Sequence, residues 1–553
     1  MSPVPGTVAE VVAATLAQRG VGHVFGVVGS GNFHVTNALI AYGARYVAAR
    51  HEMGATVMAD AYARMSNSVG VVTLHQGCGL TNAMTGLAEA AKSRTPLLVL
   101  AAEVTNQSSN FYVDQPALAR AVGAESVRVD DPARAAEQAA GAYDLALRER
   151  RTVLVNLPLD VQSTTVSAGS DDLSQAGVRQ VTSSTDWVGV AELGRVLAGA
   201  RRPVFIAGRG ARHAGAEIDG AAEAFGALLA TSAVAKGLFH GNPWSLDVSG
   251  GFATPLAVDL IRGADVIVGF GCALNMWTMR HGRLVGPGAT VIQVDLDADA
   301  LGRYCAVDLG IIGDSAEVAA ALAAEPAGSP HVGYRNAQIA DRIAVEGHWR
   351  DVPYDDWAHG SGQEARIDPR TLTIALDDLL PTERIVSVDS GNFMGYPSMF
   401  LSAPDEYGFC FTQAFQSIGL GLATALGAAL AQPQRLPVAA LGDGGALMGV
   451  AELDTVRRLG LPMVVVVYND AAYGAEVHHF AGGHSLDTVT FPDTDVAAIA
   501  GGFGFDAVTV RAVADLGAVR EWLDGPRDRP LLIDAKTASP RGAWWLEEAF
   551  RGH

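Results

Sequence analysis

Short β-branched runs alternate with longer alanine-rich segments along almost the whole chain, and that rhythm selects doubly wound parallel sheets over sandwiches or bundles. Three blocks can be separated. The first runs from about Thr7 to Gln162, with strand candidates at His23–Val28, Val69–Leu74, Leu97–Ala101 and Thr152–Leu157. A Ser/Thr/Gly/Asp-rich stretch, Ser163–Asp186, reads as an exposed linker. The second block covers Trp187–Ala327, with strands expected at Pro203–Ala207, Val266–Phe270 and Thr290–Val294. A polar connector punctuated by Pro and Gly, Pro326–Ile367, carries one helix candidate at Asn336–Val345. The third block starts near Asp368, with strands at Arg384–Val388, Pro437–Leu441, Met463–Tyr468 and Pro530–Ile533. The expected fold is α/β: three doubly wound parallel-sheet domains at 1–165, 186–330 and 366–553. The first and third blocks share a strand–helix rhythm of similar length, a hint of paired domains.

Bulk properties narrow the partners. At 553 residues the chain exceeds what one core supports, and 49% apolar with 18% charged residues describes a well-buried globular protein. A formal charge of −20 with no basic run argues against nucleic acid, whose binding needs a basic face. A small anion remains compatible, because helix N-termini and a bound metal can hold one locally. The N-terminal residues lack a basic region followed by a long apolar one, and the longest apolar stretches, such as Met463–Tyr468, are strand-length. The four cysteines, Cys78, Cys272, Cys305 and Cys410, are scattered and form no CxxC pair. These features lead us to expect a cytoplasmic chain with no membrane span, disulfide framework or zinc site.

The third block carries the strongest motif. The strand at Leu436–Leu441 runs into Gly442-Asp443-Gly444-Gly445, and 26 residues after Asp443 a second strand ends at Asn469-Asp470. Ala446–Leu459, between them, reads as one helix. Both polar groups then sit at the carboxyl ends of parallel strands, where open α/β sheets bind ligands. The glycines let the backbone approach a phosphate closely. An Asp carboxylate, an Asn amide oxygen and a main-chain carbonyl from the next turn offer oxygens to a hard cation. The bland alternative is a tight turn after a strand.

This arrangement resembles the metal–diphosphate signature of the thiamine-diphosphate enzymes of the pyruvate decarboxylase, acetolactate synthase and benzoylformate decarboxylase superfamily. The resemblance implies thiamine diphosphate and Mg²⁺ as cofactors. The metal ligands would be Asp443, Asn469 and the main-chain carbonyl of Ala471, with Gly442, Gly444 and Gly445 against the diphosphate. It also implies a pyrimidine-binding, a middle Rossmann-like and a diphosphate-binding domain over nearly the whole chain. Ile418, in Gln416-Ser417-Ile418-Gly419, falls where that family places a bulky apolar residue that keeps the cofactor bent; a plain core isoleucine is the alternative.

The first block supplies an independent check. Arg50-His51-Glu52 precedes an alanine-rich helix, and Glu52 resembles the family's catalytic Glu, which bonds the aminopyrimidine ring and moves its proton. The alternative is an exposed Glu favoured by a helix N-terminus. Leu74-His75-Gln76-Gly77-Cys78-Gly79-Leu80-Thr81-Asn82 stands in place of a GPGxxN turn, with Cys78 for Pro and Asn82 closing it against the cofactor. His75 and Ser30 match the His and Ser of benzoylformate decarboxylases, implying that the pair holds a substrate carboxylate and relays protons. The alternatives are a turn-capping His and an ordinary turn Ser.

Several departures bear on specificity. Gly271-Cys272-Ala273-Leu274-Asn275 replaces the Arg-Phe-Asp run of the FAD-binding acetolactate synthases, which speaks against FAD. Their Phe-Gln-Glu run is also missing, with Asn110-Phe111-Tyr112-Val113-Asp114-Gln115 in its place. The paired histidines of pyruvate decarboxylases are absent from the first block, and His478-His479 are channel-lining candidates only. Gly208-Arg209-Gly210 and Asp295 follow middle-block strands and can hold an ADP moiety, or survive in a domain that has lost one. The expected function is a 2-oxo acid decarboxylase with carboligase activity. The alternatives are an acetolactate-synthase-type carboligase, a 2-hydroxyacyl-CoA lyase, and a non-catalytic cofactor-binding scaffold. The family resemblance further implies a homodimer or dimer of dimers, and the Ala/Gly-rich helices Thr56–Ala63 and Ile418–Leu430 are candidates for its interface.

Overall fold

The computed structural model describes residues 6–166, 184–324 and 333–549. Most of the Ser163–Asp186 linker and the start of the Pro326–Ile367 connector lie outside them. Within the second connector, the helix expected near Asn336 forms at Ala337–Glu346, with Asn336 as its N-cap.

The described strands form three six-stranded sheets. The N-terminal sheet runs Arg45–Ala48, His23–Gly26, Gly70–Leu74, Leu97–Glu103, Thr152–Pro158, Glu125–Arg128, every pair parallel. The C-terminal sheet runs Phe409–Phe411, Arg384–Val388, Leu436–Gly442, Val464–Asn469, Leu531–Lys536, Asp506–Val510, again all parallel. Numbered within each sheet, both read 2-1-3-4-6-5, so the shared rhythm of the two blocks is a shared topology. The middle sheet runs Leu309–Ile312, Thr290–Asp295, Val266–Phe270, Pro203–Ala207, Leu228–Thr231, Ser245–Val248, the order of dinucleotide-binding sheets.

Eleven strands form where the sequence places them, whereas Leu228–Thr231, inside the middle sheet, and all six edge strands were not anticipated. Edge strands are short and only half covered: Arg45–Ala48 and Glu125–Arg128 bury few of their side chains, so they lack the apolar run that marks a central strand.

Topology places the ligand crevices. Where strand order reverses, the loops at the carboxyl ends of neighbouring strands diverge and leave a gap. In the N-terminal sheet the reversal lies between the strands ending at Gly26 and Leu74, and the loops that follow carry Ser30 and His75. In the C-terminal sheet it lies between the strands ending at Val388 and Gly442, next to Asp389 and Asp443.

One helix, Glu52–Ser66, is covered on all sides, and almost every residue from Gly54 to Met65 is buried. Its small residues explain how it is enclosed. A Cβ on Gly427, in the Gly421–Ala431 helix, would stand 2.1 Å from the Met58 carbonyl oxygen, and one on Gly70 would stand 2.3 Å from that of Ala59. Backbone therefore meets backbone, and one apolar cluster runs through both flanking units, from Phe25 and Met58 to Leu426 and Val467. The two helices proposed above for a subunit interface thus pack on each other within one chain. The second begins at Gly421, which leaves Ile418 in the turn before it.

A buried ionic cluster closes the far end of the central helix. Arg64 donates to both Asp60 oxygens and, at 2.9 Å, to Glu89. Burial alone would raise Glu89, but Arg64 and the N–H groups of Phe415 and Ala414 outweigh it and hold the carboxyl below its usual range.

The single helix expected at Ala446–Leu459 is two, Asp443–Met448 and Glu452–Leu459. The Gly-Asp-Gly-Gly run is not a free turn: Gly442 is the N-cap and Asp443 opens the first helix. Gly449 ends it, as glycine commonly does.

Replacing Gly427 tests the backbone contact. Gly427→Ala should favour its own helix yet force the two helices apart, lowering stability by about 1–3 kcal/mol. The denaturation midpoint measures this, and an unchanged or higher midpoint would show that the contact does not constrain the packing.

Candidate active site

At the N-terminal switch point, His75 follows its strand directly and Ser30 lies in the loop opposite. His75 Nδ1 lies 2.8 Å from the Gln76 carbonyl oxygen. A carbonyl only accepts, so Nδ1 carries the proton and the lone pair of the neutral ring is on Nε2. Nε2 faces Ser30 Oγ at 3.4 Å, a long contact. The ring is confined on two sides. A Cβ on Gly29 would stand 2.2 Å from His75 Cδ2, and the Phe111 ring meets it edge-on with centroids 5.4 Å apart.

Glu52 opens the central helix, one residue after the N-cap His51. Asn82 Nδ2 donates to Glu52 Oε2 at 3.0 Å, which leaves Oε1 for another partner. Gly79 keeps that side open, because a Cβ there would stand 3.5 Å from Oε1 and 3.0 Å from His75 Cβ. Ser30, Glu52, His75 and Asn82 thus form one group.

The C-terminal switch point opens into a cleft of about 2170 Å³. Ile418, Gly442, Asp443, Gly444 and Gly445 all line it, as the sequence analysis expects. Asn469 and Ala471 do not. Asn469 is fully buried and turned away, its Nδ2 donating to Asp534 at 2.9 Å and to the Thr494 carbonyl at 3.3 Å. The Ala471 carbonyl accepts from the Phe491 N–H at 2.9 Å. The cleft is lined instead by Tyr468, Asp470 and Ala472. Strand side chains alternate, so even-numbered residues here share a face, and reading the pair as Asn469 and Ala471 chooses the wrong one.

Asp443 and Asp470 face one another. Burial and the neighbouring Asp470 carboxylate push Asp443 up to about 7, and burial pushes Asp470 up to about 6. Two desolvated carboxylates in this relation fit a hard divalent cation, whose charge would offset both penalties. The Ala472 N–H donates to both carboxylates and partly offsets the effect of burial. The cleft therefore brings Asp443, Asp470 and Ala472 together on one wall.

Asp389 is a further residue that the sequence analysis missed. Fully buried, it accepts from the N–H groups of Ser390, Gly419 and Leu420 and so holds the turn that presents Ile418. Burial raises its pKa to about 6 despite these bonds. The available signal was its position at a strand's carboxyl end. His478 does not line the cleft; it bonds Ser539 at 3.1 Å, and Ser539 does.

The cleft extends to the middle unit's switch point, where Gly208, Arg209, Gly210 and Asp295 form part of its wall. A Cβ on Gly208 would stand 2.2 Å from the Gly271 carbonyl oxygen, so these two loops also meet backbone to backbone. Burial, with Arg64 and Arg150 nearby, lowers Arg209 to about 9. Among the described residues, none of Ser30, Glu52, His75 and Asn82 lines this cleft. One chain therefore keeps the Ser30–Glu52–His75–Asn82 group apart from the cleft that holds Asp443.

Comparison with known proteins matches all three units. Residues 6–122 match the N-terminal TPP binding domain of thiamine pyrophosphate enzymes, 190–322 the central domain and 389–535 the C-terminal TPP binding domain. The chain is 27% identical to sulfoacetaldehyde acetyltransferase of Alcaligenes xylosoxydans, over 92% of this chain and 89% of the relative. It is 30% identical to a probable 2-ketoarginine decarboxylase of Pseudomonas aeruginosa, over 85% and 83%. It is also 27% identical to the large subunit of acetolactate synthase isozyme 3 of Escherichia coli, over 84% and 82%. The three matched domains and a 30% identity across most of both chains establish that this chain belongs to the thiamine pyrophosphate enzymes.

Proposed function

We propose that the protein is a 2-oxo acid decarboxylase using thiamine diphosphate and Mg²⁺, with carboligation as a companion reaction. The Ser30–His75 pair carries this reading: a hydroxyl and an imidazole lone pair meet at a switch point beside Glu52. When bound, the cofactor supplies a nucleophilic carbon and an electron sink. Asp443, Asp470 and the Ala472 carbonyl would hold the cation, and the cation would neutralise diphosphate charge. Gly442, Gly444 and Gly445, on the cleft wall, would lie against the diphosphate, and Ile418 would support the cofactor.

The chain's own residues handle protons and position. Glu52 Oε1, freed because Asn82 occupies Oε2, holds and moves a proton at the aminopyrimidine nitrogen. Ser30 Oγ donates to a substrate carboxylate. His75 Nε2 takes a proton from the substrate side and returns it, with Nδ1 anchored on Gln76. A scaffold without catalysis has no use for a Glu oriented in this way.

A second reading has its own support. The Gln413 amide and Ser232 Oγ, both on the cleft wall, are buried without partners, and Arg209 stands nearby. Orphaned donors beside a guanidinium suit the phosphates of a coenzyme A thioester, the substrate type of a 2-hydroxyacyl-CoA lyase.

We further propose that the active unit is a dimer in which each site joins the N-terminal half-site of one chain to the C-terminal half-site of the other. The separation of the two groups within one chain supports this, as do exposed apolar residues around both halves: Phe33 and Phe111 on one, Leu447 and Met448 on the other.

Three outcomes follow. Calorimetric titration of Asp470→Ala should show Mg²⁺-dependent cofactor affinity falling by about 10–100-fold or more. Asn469→Ala should keep that affinity and lose about 1–3 kcal/mol of stability, since it removes the buried bond to Asp534 Oδ1 and leaves that carboxylate only its Oδ2 partners, Val496 and Lys536; the opposite pattern would return Asn469 to the metal. Carbon dioxide release from pyruvate, benzoylformate or a branched 2-oxo acid should fall about 10²–10⁴-fold in His75→Ala. No release from any of these acids, with cleavage of a 2-hydroxyacyl-CoA thioester, would favour the second reading. Mixing inactive Glu52→Gln with inactive Asp443→Ala chains under subunit exchange should restore part of the activity, and no recovery despite exchange would refute shared sites.

A further inference from the structure

Each flanking unit sends a buried carboxylate into the other, and that of the C-terminal unit grips the backbone just before the candidate catalytic Glu52. Glu452, only 3% exposed, belongs to the C-terminal unit. Its Oε1 accepts from the Arg50 N–H at 3.0 Å and from the His51 N–H at 3.1 Å, the two residues before Glu52. Its Oε2 is held by Thr455 Oγ1 at 2.6 Å. Gly54 makes room for this approach, because a Cβ there would stand 2.5 Å from Glu452 Oε1. In the opposite direction, Glu89 of the N-terminal unit accepts from the Ala414 N–H at 3.1 Å and from the Phe415 N–H at 2.7 Å. Arg64 adds a bond to the Phe411 carbonyl at 3.1 Å. That loop passes through Gln416, in the left-handed region at φ 62°, and reaches Ile418.

We propose that Glu452 is a positioning residue for Glu52. The proposal rests on the role given above to Glu52. The central helix is packed along its sides, but its first turn lies at the edge of that packing, where Glu52 is only half-buried. His51 Nδ1 caps the Met53 N–H and Asn82 holds one Glu52 oxygen, while the Glu452 carboxylate fixes the backbone of the two residues before Glu52 through bonds in a desolvated setting, where such bonds are strongest. The break at 449–451 has a purpose on this view. It turns the chain so that the segment opening with Asp443 ends, nine residues later, on the backbone preceding Glu52. The orientation of Glu52 is thus set by the same segment that supplies the metal–diphosphate site, and a misplacement of about 1 Å there is enough to slow proton transfer by orders of magnitude.

Three readouts test this. In the protein without cofactor, amide hydrogen exchange at Arg50 and His51 should speed up in Glu452→Ala. With thiamine diphosphate and Mg²⁺, Glu452→Ala should keep cofactor affinity within about threefold and slow exchange of the proton on the cofactor's reactive carbon by about tenfold or more. Glu452→Gln, which keeps an acceptor at the same place, should recover most of that rate. Combined with Glu52→Gln, Glu452→Ala should add less than about twofold, because it acts only through Glu52. Wild-type proton exchange in Glu452→Ala, or a fully additive loss in the double variant, overturns the proposal. Should Glu452→Ala fail to fold, Gly54→Ala decides the matter, since alanine favours the helix while its Cβ displaces the carboxylate. Slow proton exchange with retained affinity then supports the proposal, and a wild-type rate overturns it. Glu52→Gln alone separates the two levels. A wild-type rate there removes the role of Glu52 itself, whereas a slow rate beside a normal Glu452→Ala removes only the positioning.

Discussion

The contact between Gly427 and the Met58 carbonyl, with its counterpart between Gly70 and the Ala59 carbonyl, puts one short helix at the centre of two sheets. Helices meet this closely only where side chains are absent, and the gain is a continuous apolar cluster shared by the N- and C-terminal units. The remaining architecture follows from that closeness. The two topologically identical sheets become one body, the Asp60–Arg64–Glu89 cluster is buried between them, and carboxylates of each unit reach backbone in the other.

Catalytic groups in this fold are delivered by topology more than by local sequence. Each sheet opens where its strand order reverses, and the residues at these openings are the polar ones: Ser30 and His75, Asp389 and Asp443, Arg209 beside Gly271. A chain of net charge −20 can still form a crevice suited to anions, because local donors and a cation decide the potential there. The same parallel geometry that demands helices on both faces therefore leaves a gap at each switch point, and function collects in the gaps.

Much of the fold was legible because buried parallel strands advertise themselves as uninterrupted apolar runs, as at Val464–Asn469 and Leu97–Glu103. The edge strands and Leu228–Thr231 were not, since most of them are runs of only three or four residues, too short to show a period. Among the candidate site residues, the structure puts Asp443, Ile418 and the three glycines on one cleft wall and bonds Asn82 to Glu52. Asn469 and Ala471 were misplaced by one position. Local spacing locates a strand end to within a residue, whereas the parity of side chains along the strand decides which group meets the cleft.

The sequence by itself determined the class of fold, the three-block order, and the residue types needed to bind a diphosphate and move a proton, because these depend on local periodicity and short motifs. Tertiary structure alone decided that Asp470 rather than Asn469 faces Asp443, that the Ser30–Glu52–His75–Asn82 group stands apart from the cleft that holds Asp443, and that Glu452 reaches the backbone before Glu52. Those facts depend on which surfaces are apposed across some four hundred residues of chain, as with Glu452 and Arg50 at a separation of 402. No periodicity encodes such a meeting; it exists only once the packed helices bring both ends together.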